Sequence, residues 1–225
     1  MTVVHQHQHG APVAVTPGKA TPTWRLLVTL AVAGGLSGWL VVTVYQITRP
    51  AVERYAAQRV AGAVREVLER PARWDTLYLV NGALVSKAPA GPNAQELPIA
   101  YVGYDATGKR IGAAVTAAEP GFQELLTLMI GFDPESGALL GFKVLDEKET
   151  PGLGDKIETD SSFRTQFADR LPPLTGVKGH PGGNRNEVQT ITGATISSRA
   201  VIRIVNHAVA KWRPLLQAYH AGGAP

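Results

Sequence analysis

Thr192-Gly193-Ala194-Thr195 stands directly before a strongly patterned amphipathic segment, and its residue types can hold a phosphate. The first turn of a helix leaves backbone N–H groups unpaired, and the positive end of the helix favours an anion there. Glycine lets a ligand approach the backbone, and alanine adds no bulk. A threonine hydroxyl can hydrogen-bond to a phosphate or be esterified by it. The same residues also read as an ordinary N-cap, with Thr192 or Thr195 serving only the helix. Residue types alone leave both readings open.

A second stretch, Glu149-Thr150-Pro151-Gly152-Leu153-Gly154, follows an apolar run that ends near Leu145. It sets two glycines around one apolar side chain. It lacks the Gly-Lys-Ser/Thr ending of a P-loop and the G-x-G-x-x-G spacing of a dinucleotide fingerprint. By type it is a turn whose exposed backbone can lie against a planar ligand. The histidines offer less: His5, His7 and His9 alternate in a polar tail, His180 sits in a Gly/Pro-rich loop and His207 falls within the last helical pattern. None is expected to be a catalytic group or a metal ligand.

The 225 residues contain no cysteine. That excludes haem attachment through C-x-x-C-H, cysteine-held iron–sulfur clusters, thiolate zinc sites and disulfides. The formal net charge is +4, without a block of basic residues or basic–aromatic interleaving, so nucleic acid is not an expected partner.

Certain elements must position these motifs. Leu26 to Ile47 carries no charge and exceeds the roughly 20 residues that a membrane-spanning helix needs. Arg25 and Arg49 bracket it, Trp24 and Tyr45 suit the interfaces, and the region around Thr43-Val44-Tyr45 does not resemble a cleavage site. An uncleaved single-pass anchor in membrane lipid is therefore expected. Gly34, Gly35, Ser37 and Gly38 offer another helix a close approach. Lys19 and Arg25 before the span are balanced by Arg49, Arg54 and Arg59 after it, so charge does not orient it.

After a break, Pro50 opens a helix closed by Pro71, with Val52, Ala56, Val60, Val64, Val67 and Leu68 on one side. Three strand–turn–strand units follow, turning at Asn81-Gly82, at Asp105 to Lys109 and at Asp133 to Gly137. Ser161 to Leu171 reads as a hydroxyl-capped helix with Phe163, Phe167 and Leu171 on one face. Residues 172–187 read as a loop. Ile196, Ala200, Val201, Ile204, Val205, Ala208, Val209 and Trp212 form the buried stripe of a final helix that Pro214 limits. The fold class is α+β: an N-terminal transmembrane helix, then an antiparallel sheet packed with helices. The expected divisions are a flexible tail (1–24), the anchor (25–48), a connecting amphipathic helix (49–73), a globular domain (74–213) and a C-terminal tail (214–225).

Residues 131–157, "GFDPESGALLGFKVLDEKETPGLGDKI", together with 191–201, "ITGATISSRAV", resemble the G subunit of the Rnf/Rsx ion-translocating electron-transport complex. More broadly they resemble the FMN-binding domains found there and in the C subunit of sodium-translocating NADH:quinone reductase. The likeness covers the anchor and nearly everything from residue 50 to 212. It implies that Thr195 carries FMN through a phosphoester, with Thr192, Gly193 and Ala194 completing the motif. A flavin transferase would make that bond using FAD, and the Glu149 to Gly154 loop would lie close to the flavin. The resemblance further implies a bacterial inner-membrane protein with its domain on the periplasmic side. It would pass electrons between neighbouring redox subunits of a ferredoxin:NAD oxidoreductase-type complex, with no activity alone. One departure stands out: the family usually has an aspartate three residues before the motif's first Ser/Thr, where this chain has Gln189, and Glu187 is out of register. The alternatives are the quinone-reductase C subunit and, in another class, a membrane-tethered scaffold without flavin.

Overall fold

The computed structural model describes residues 22–89 and 97–219. His5, His7 and His9, most of the expected N-terminal tail and the last six residues lie outside the described residues. The chain divides into two units, 1–53 and 54–225. Helix α1 (Thr23–Val67) begins in the first. Its N-terminal part is the one helix among the described residues that is long and apolar enough to cross a membrane, and its apolar side chains are uncovered by protein.

The expected break at Pro50 is absent, because α1 runs through that residue. Proline removes one N–H and frees the carbonyl four residues back, at Gln46. That position is exposed, where the carbonyl is not trapped without a partner.

The second unit is built on a six-stranded antiparallel sheet: β1 (Arg73–Val80), β2 (Ala83–Val85), β3 (Ile99–Tyr104), β4 (Arg110–Pro120), β5 (Leu125–Phe132) and β6 (Leu139–Asp146), in the order β2-β1-β3-β4-β5-β6. All three expected turns form, each for a local chemical reason. Asn81 and Gly82 have φ of 49° and 83°, the two positive values that a tight hairpin turn requires. The Asp105 carboxylate accepts hydrogen bonds from the backbone of Thr107 and Lys109. Asp133 does the same for Glu135 and Ser136.

Side chains alternate across a strand, and here both faces are covered. Ala113, Val115, Leu126, Leu128, Ile130 and Phe132 belong to the core shared with α4 (Thr195–Ala218). Ala114 and Met129, which point the opposite way, pack with Ala63, Val64, Val67 and Leu68 at the end of α1. Val52 and Ala56, expected on the same buried side, are exposed. Gly131 makes the close approach on this side: a Cβ there would run into the Val67 carbonyl oxygen and lie 3.0 Å from the Val67 Cβ.

Three further expectations change. Between Ser161 and Leu171 the helix is only α3 (Ser161–Thr165), preceded by α2 (Lys156–Thr159). Its cap is Asp160, which accepts from Ser162 and Phe163; the Ser162 hydroxyl and these N–H groups hold its pKa below the ordinary aspartate value. Phe163 and Phe167 are nevertheless buried, stacked edge-on against Phe142 at 6.2 and 4.6 Å. Leu171 is half-buried. Inside the expected loop, β7 (Thr175–Val177) pairs in parallel with β8 (Glu187–Gln189). Finally, α4 continues past Pro214 to Ala218. Ala210, whose carbonyl loses its partner, and Pro214 are both exposed, while Trp212 and Leu216 are buried and hold the turn on the sheet.

Gly131→Ala is expected to destabilise the protein by about 1–3 kcal/mol, because the obstacle is backbone and cannot swing aside. Chemical denaturation of the full chain in detergent, compared with wild type, measures it.

Candidate functional site

The two motifs singled out in the sequence meet. A cavity of about 380 Å³ is lined by Phe122, Glu149, Thr150, Leu153, Gly154, Gly193, Ala194, Thr195, Ile196 and Ser197. Thr192 is exposed and borders a neighbouring cavity, together with Gln189, Gln166 and Lys156. Pro151 and Gly152 do not line the Thr195 cavity. They form its supporting turn, in which Gly152 has φ 76° and the N–H groups of Leu153 and Gly154 point to the Thr150 carbonyl at 3.1 and 2.9 Å.

Glu149 is the hub. The residue is buried, at 6% exposure, and its carboxylate's donors come from two other segments. Oε1 accepts from the backbone N–H of Phe122 at 2.8 Å and of Gln123 at 3.4 Å, and Oε2 accepts from the Ser197 hydroxyl at 2.7 Å. Gln123 also donates its side-chain amide to the Thr150 hydroxyl at 2.7 Å. The 121–124 turn, the 149–154 turn and the start of α4 are thereby joined. Two glycines make room. A Cβ on Gly154 would sit 2.7 Å from both Cβ and Oε2 of Glu149, and a Cβ on Gly121 would strike Oε1.

The N-terminus of α4 does not use its threonines as caps. Ala194 occupies the N-cap position, and no side chain caps the helix there. Ser198 organises the entry, donating to the Ala194 carbonyl at 2.8 Å and accepting from the Ile191 N–H at 3.0 Å. Among the described residues the Thr195 hydroxyl has no protein partner, and Thr195 is half-buried against the cavity. Gly193, at φ 86°, turns the chain into the helix in a conformation that a side chain would strain.

Ile196 departs from expectation. The helical pattern assigns it to the buried stripe, yet it is 58% exposed. Phe122 and Leu153, at 59% and 47%, are likewise exposed beside it on the cavity wall. Large apolar side chains left in water around a concave, mainly apolar site are what a bound aromatic group would cover. Sequence reading missed Phe122, Gln123, Ile196 and Ser197. The signal for Phe122 was a lone aromatic in a Pro-Gly turn; Ser197 carried no signal beyond its place in the hydroxyl-rich run.

Neither described histidine belongs to the site. His180 is exposed in its loop. His207 is also exposed and pairs through Nδ1 with Glu119 at 2.7 Å, beside Arg203, which reaches the other oxygen at 2.9 Å and the Pro120 carbonyl at 2.5 Å. Burial works against the Glu119 charge, but the hydrogen bonds with His207 and Arg203 outweigh it and lower its pKa. This network ties α4 to the end of β4, just before the 121–124 turn. Among the described residues no cluster of carboxylates and histidines can hold a metal ion.

Gly154→Ala is expected to break the Glu149–Ser197 hydrogen bond and to cost about 1–3 kcal/mol through overpacking. Thermal unfolding and the loss of protease resistance at the 149–154 turn report it.

Comparison with known proteins points to one family. The FMN-binding domain family matches residues 121–210, a span that contains every residue lining the Thr195 cavity. The G subunit of the ion-translocating oxidoreductase complex of Cronobacter sakazakii is 34% identical over 80% of this chain and 86% of its own length. The G subunit of the proton-translocating ferredoxin:NAD(+) oxidoreductase complex of Clostridium ljungdahlii is 33% identical over 77% of this chain and 83% of its own. Shewanella oneidensis NqrC shares the fold, with a TM-score of 0.56 at 18% identity, covering 77% of this chain and all of that one. The chain belongs to the family of G subunits of ion-translocating oxidoreductase complexes and carries that family's FMN-binding domain.

Proposed function

We propose that the chain is a membrane-anchored electron-transfer subunit in which FMN is joined through its phosphate to the hydroxyl of Thr195. The observation that carries the proposal is the state of that hydroxyl: in the first turn of a long helix, without a partner among the described residues, and opening onto the cavity that the Glu149 to Gly154 turn completes. The residues present fit such a group. Unpaired N–H groups at the start of α4 suit a phosphate. Gly154, Gly193 and Ala194 leave the backbone approachable, and Phe122, Leu153 and Ile196 provide apolar surface for a ring. FMN, when bound, supplies reversible one- and two-electron chemistry, and the protein orients it and sets its surroundings.

A covalent bond at Thr195 also removes the need for affinity, since a tethered cofactor is not lost by dissociation. A flavin transferase using FAD would form the ester, and the other redox subunits of the complex would deliver and accept the electrons. The family resemblance supports a location for the soluble unit on the periplasmic side. No residue is required as a general base or nucleophile in the transfer itself.

Co-expression of the full chain with a flavin transferase in a secretion-competent host tests the attachment. The wild-type band is expected to fluoresce after denaturation and to gain the mass of one FMN less one water, whereas Thr195→Val is expected to gain nothing. A colourless wild-type protein, made beside a transferase shown to modify a relative, would sink the flavin reading in favour of a tethered scaffold.

Orientation has its own test. Because the chain has no cysteine, a single Gln217→Cys on the exposed side of α4 is a unique label site. It is expected to react with a membrane-impermeant maleimide in intact spheroplasts. Labelling only after lysis would place the unit on the cytoplasmic side.

A further inference from the structure

We propose that Glu149 is a tuning residue, whose buried carboxylate holds down the reduction potential of the flavin in the Thr195 cavity while its hydrogen bonds hold the cavity's walls. The inference rests on the FMN reading above and adds to it a determinant of electron affinity.

Three donors converge on this carboxylate: the Ser197 hydroxyl and the N–H groups of Phe122 and Gln123. Both carboxylate oxygens are thus occupied as acceptors, the role an aspartate or glutamate side chain fills best. Its neighbours do not neutralise it. Lys148, adjacent in sequence, pairs instead with Glu124 at 2.7 Å, and Arg203 pairs with Glu119. Dipoles thus stabilise the charge without cancelling it, and the carboxylate lies in the wall of the cavity, where solvent screening is weak.

Each electron that enters a flavin ring adds one negative charge to it unless a proton accompanies the electron. A fixed negative charge in the wall therefore disfavours the reduced form. At a separation of roughly 10 Å and an effective dielectric constant of about 20, the equilibrium constant for adding one electron changes by on the order of tenfold. Glu149 and Thr195 line the same cavity, which places a ring tethered at Thr195 on the Glu149 side of the α4 N-terminus.

Two substitutions separate the charge from the scaffold. In Glu149→Gln the amide oxygen can still accept from Phe122 and the amide N–H can donate to the Ser197 oxygen, so the ties persist and the charge is lost. In Ser197→Ala one tie is lost and the charge remains, less well shielded. A purely structural Glu149 would make both variants shift the potential in one direction, or not at all.

The experiment is a spectroelectrochemical titration of the full-length flavin-bearing protein in detergent, for wild type and both variants. Glu149→Gln is expected to raise the midpoint potential, by about the tenfold change in equilibrium constant given above, and Ser197→Ala to leave it unchanged or lower it. An unchanged or lowered potential in Glu149→Gln overturns the inference, as does an upward shift shared by both variants. If Glu149→Gln takes up no flavin, Ser197→Ala decides alone: a lowered potential, from a charge that has lost one of its donors, upholds the inference, and a raised or unchanged one overturns it. Absence of flavin from the wild type removes the cofactor reading itself, which denatured-band fluorescence detects before any titration begins.

Discussion

A carboxylate taken out of water has to be met by hydrogen-bond donors, and leaving it unmet costs several kcal/mol. Glu149 meets this requirement with groups from two other segments, the turn after β4 and the first turns of α4. The cavity exists because those pieces of chain are brought to one point. Burial of the charge also dictates the glycines: Gly121 and Gly154 stand where any side chain would displace an oxygen of the carboxylate. One side chain thus explains why the 149–154 turn, the aromatic turn and the helix entry share a geometry.

The sheet supplies the rigid frame for that convergence. Alternate residues of β4 and β5 are buried on opposite faces, against α4 on one and against the end of α1 on the other. The stripe of α4, from Ala200 to Leu216, anchors the helix along most of its length, so its first turn projects from a fixed support. The Glu119–Arg203–His207 network fastens the same helix to the end of β4, whose next residues form the 121–124 turn. Both walls of the cavity therefore depart from one packed unit, and sites on such supports hold their geometry better than sites on free loops.

Patterns that depend on a few neighbouring residues were legible in the sequence. Asn81-Gly82 announced its turn because only residues tolerating positive φ can occupy it, and α4 announced itself through a stripe that burial requires. The two motifs could be named, but not their meeting, which depends on a contact 48 residues apart, nor the 121–124 turn that joins them across 27. Proline misled twice, at Pro50 and Pro214, because its local cost is offset when the freed carbonyl is exposed or neighbouring side chains are buried. Ile196 misled for the opposite reason: helical periodicity cannot tell a residue facing the core from one facing a ligand cavity. The pair β7–β8, three residues each and rich in polar neighbours, falls below the length at which alternation can be read.

Gln189 shows what the three-dimensional arrangement adds to a motif. Its backbone is fixed by the Gln166 carboxamide, which accepts its N–H at 2.8 Å and donates to its carbonyl at 3.4 Å. With Thr192 it borders the neighbouring cavity, separate from the one that Thr195 lines. An aspartate here, as the family resemblance implies for its members, would change the charge of the surface bordered by Gln189 and Thr192 and leave the walls around Thr195 as they are. Under the proposed function a modifying enzyme would have to reach the threonine over that surface, whereas an attached flavin would rest on Phe122, Leu153 and Ile196. Under the proposed function, then, the departure acts on the rate at which the cofactor is installed, and the residues that govern its potential lie on the other side, with Glu149.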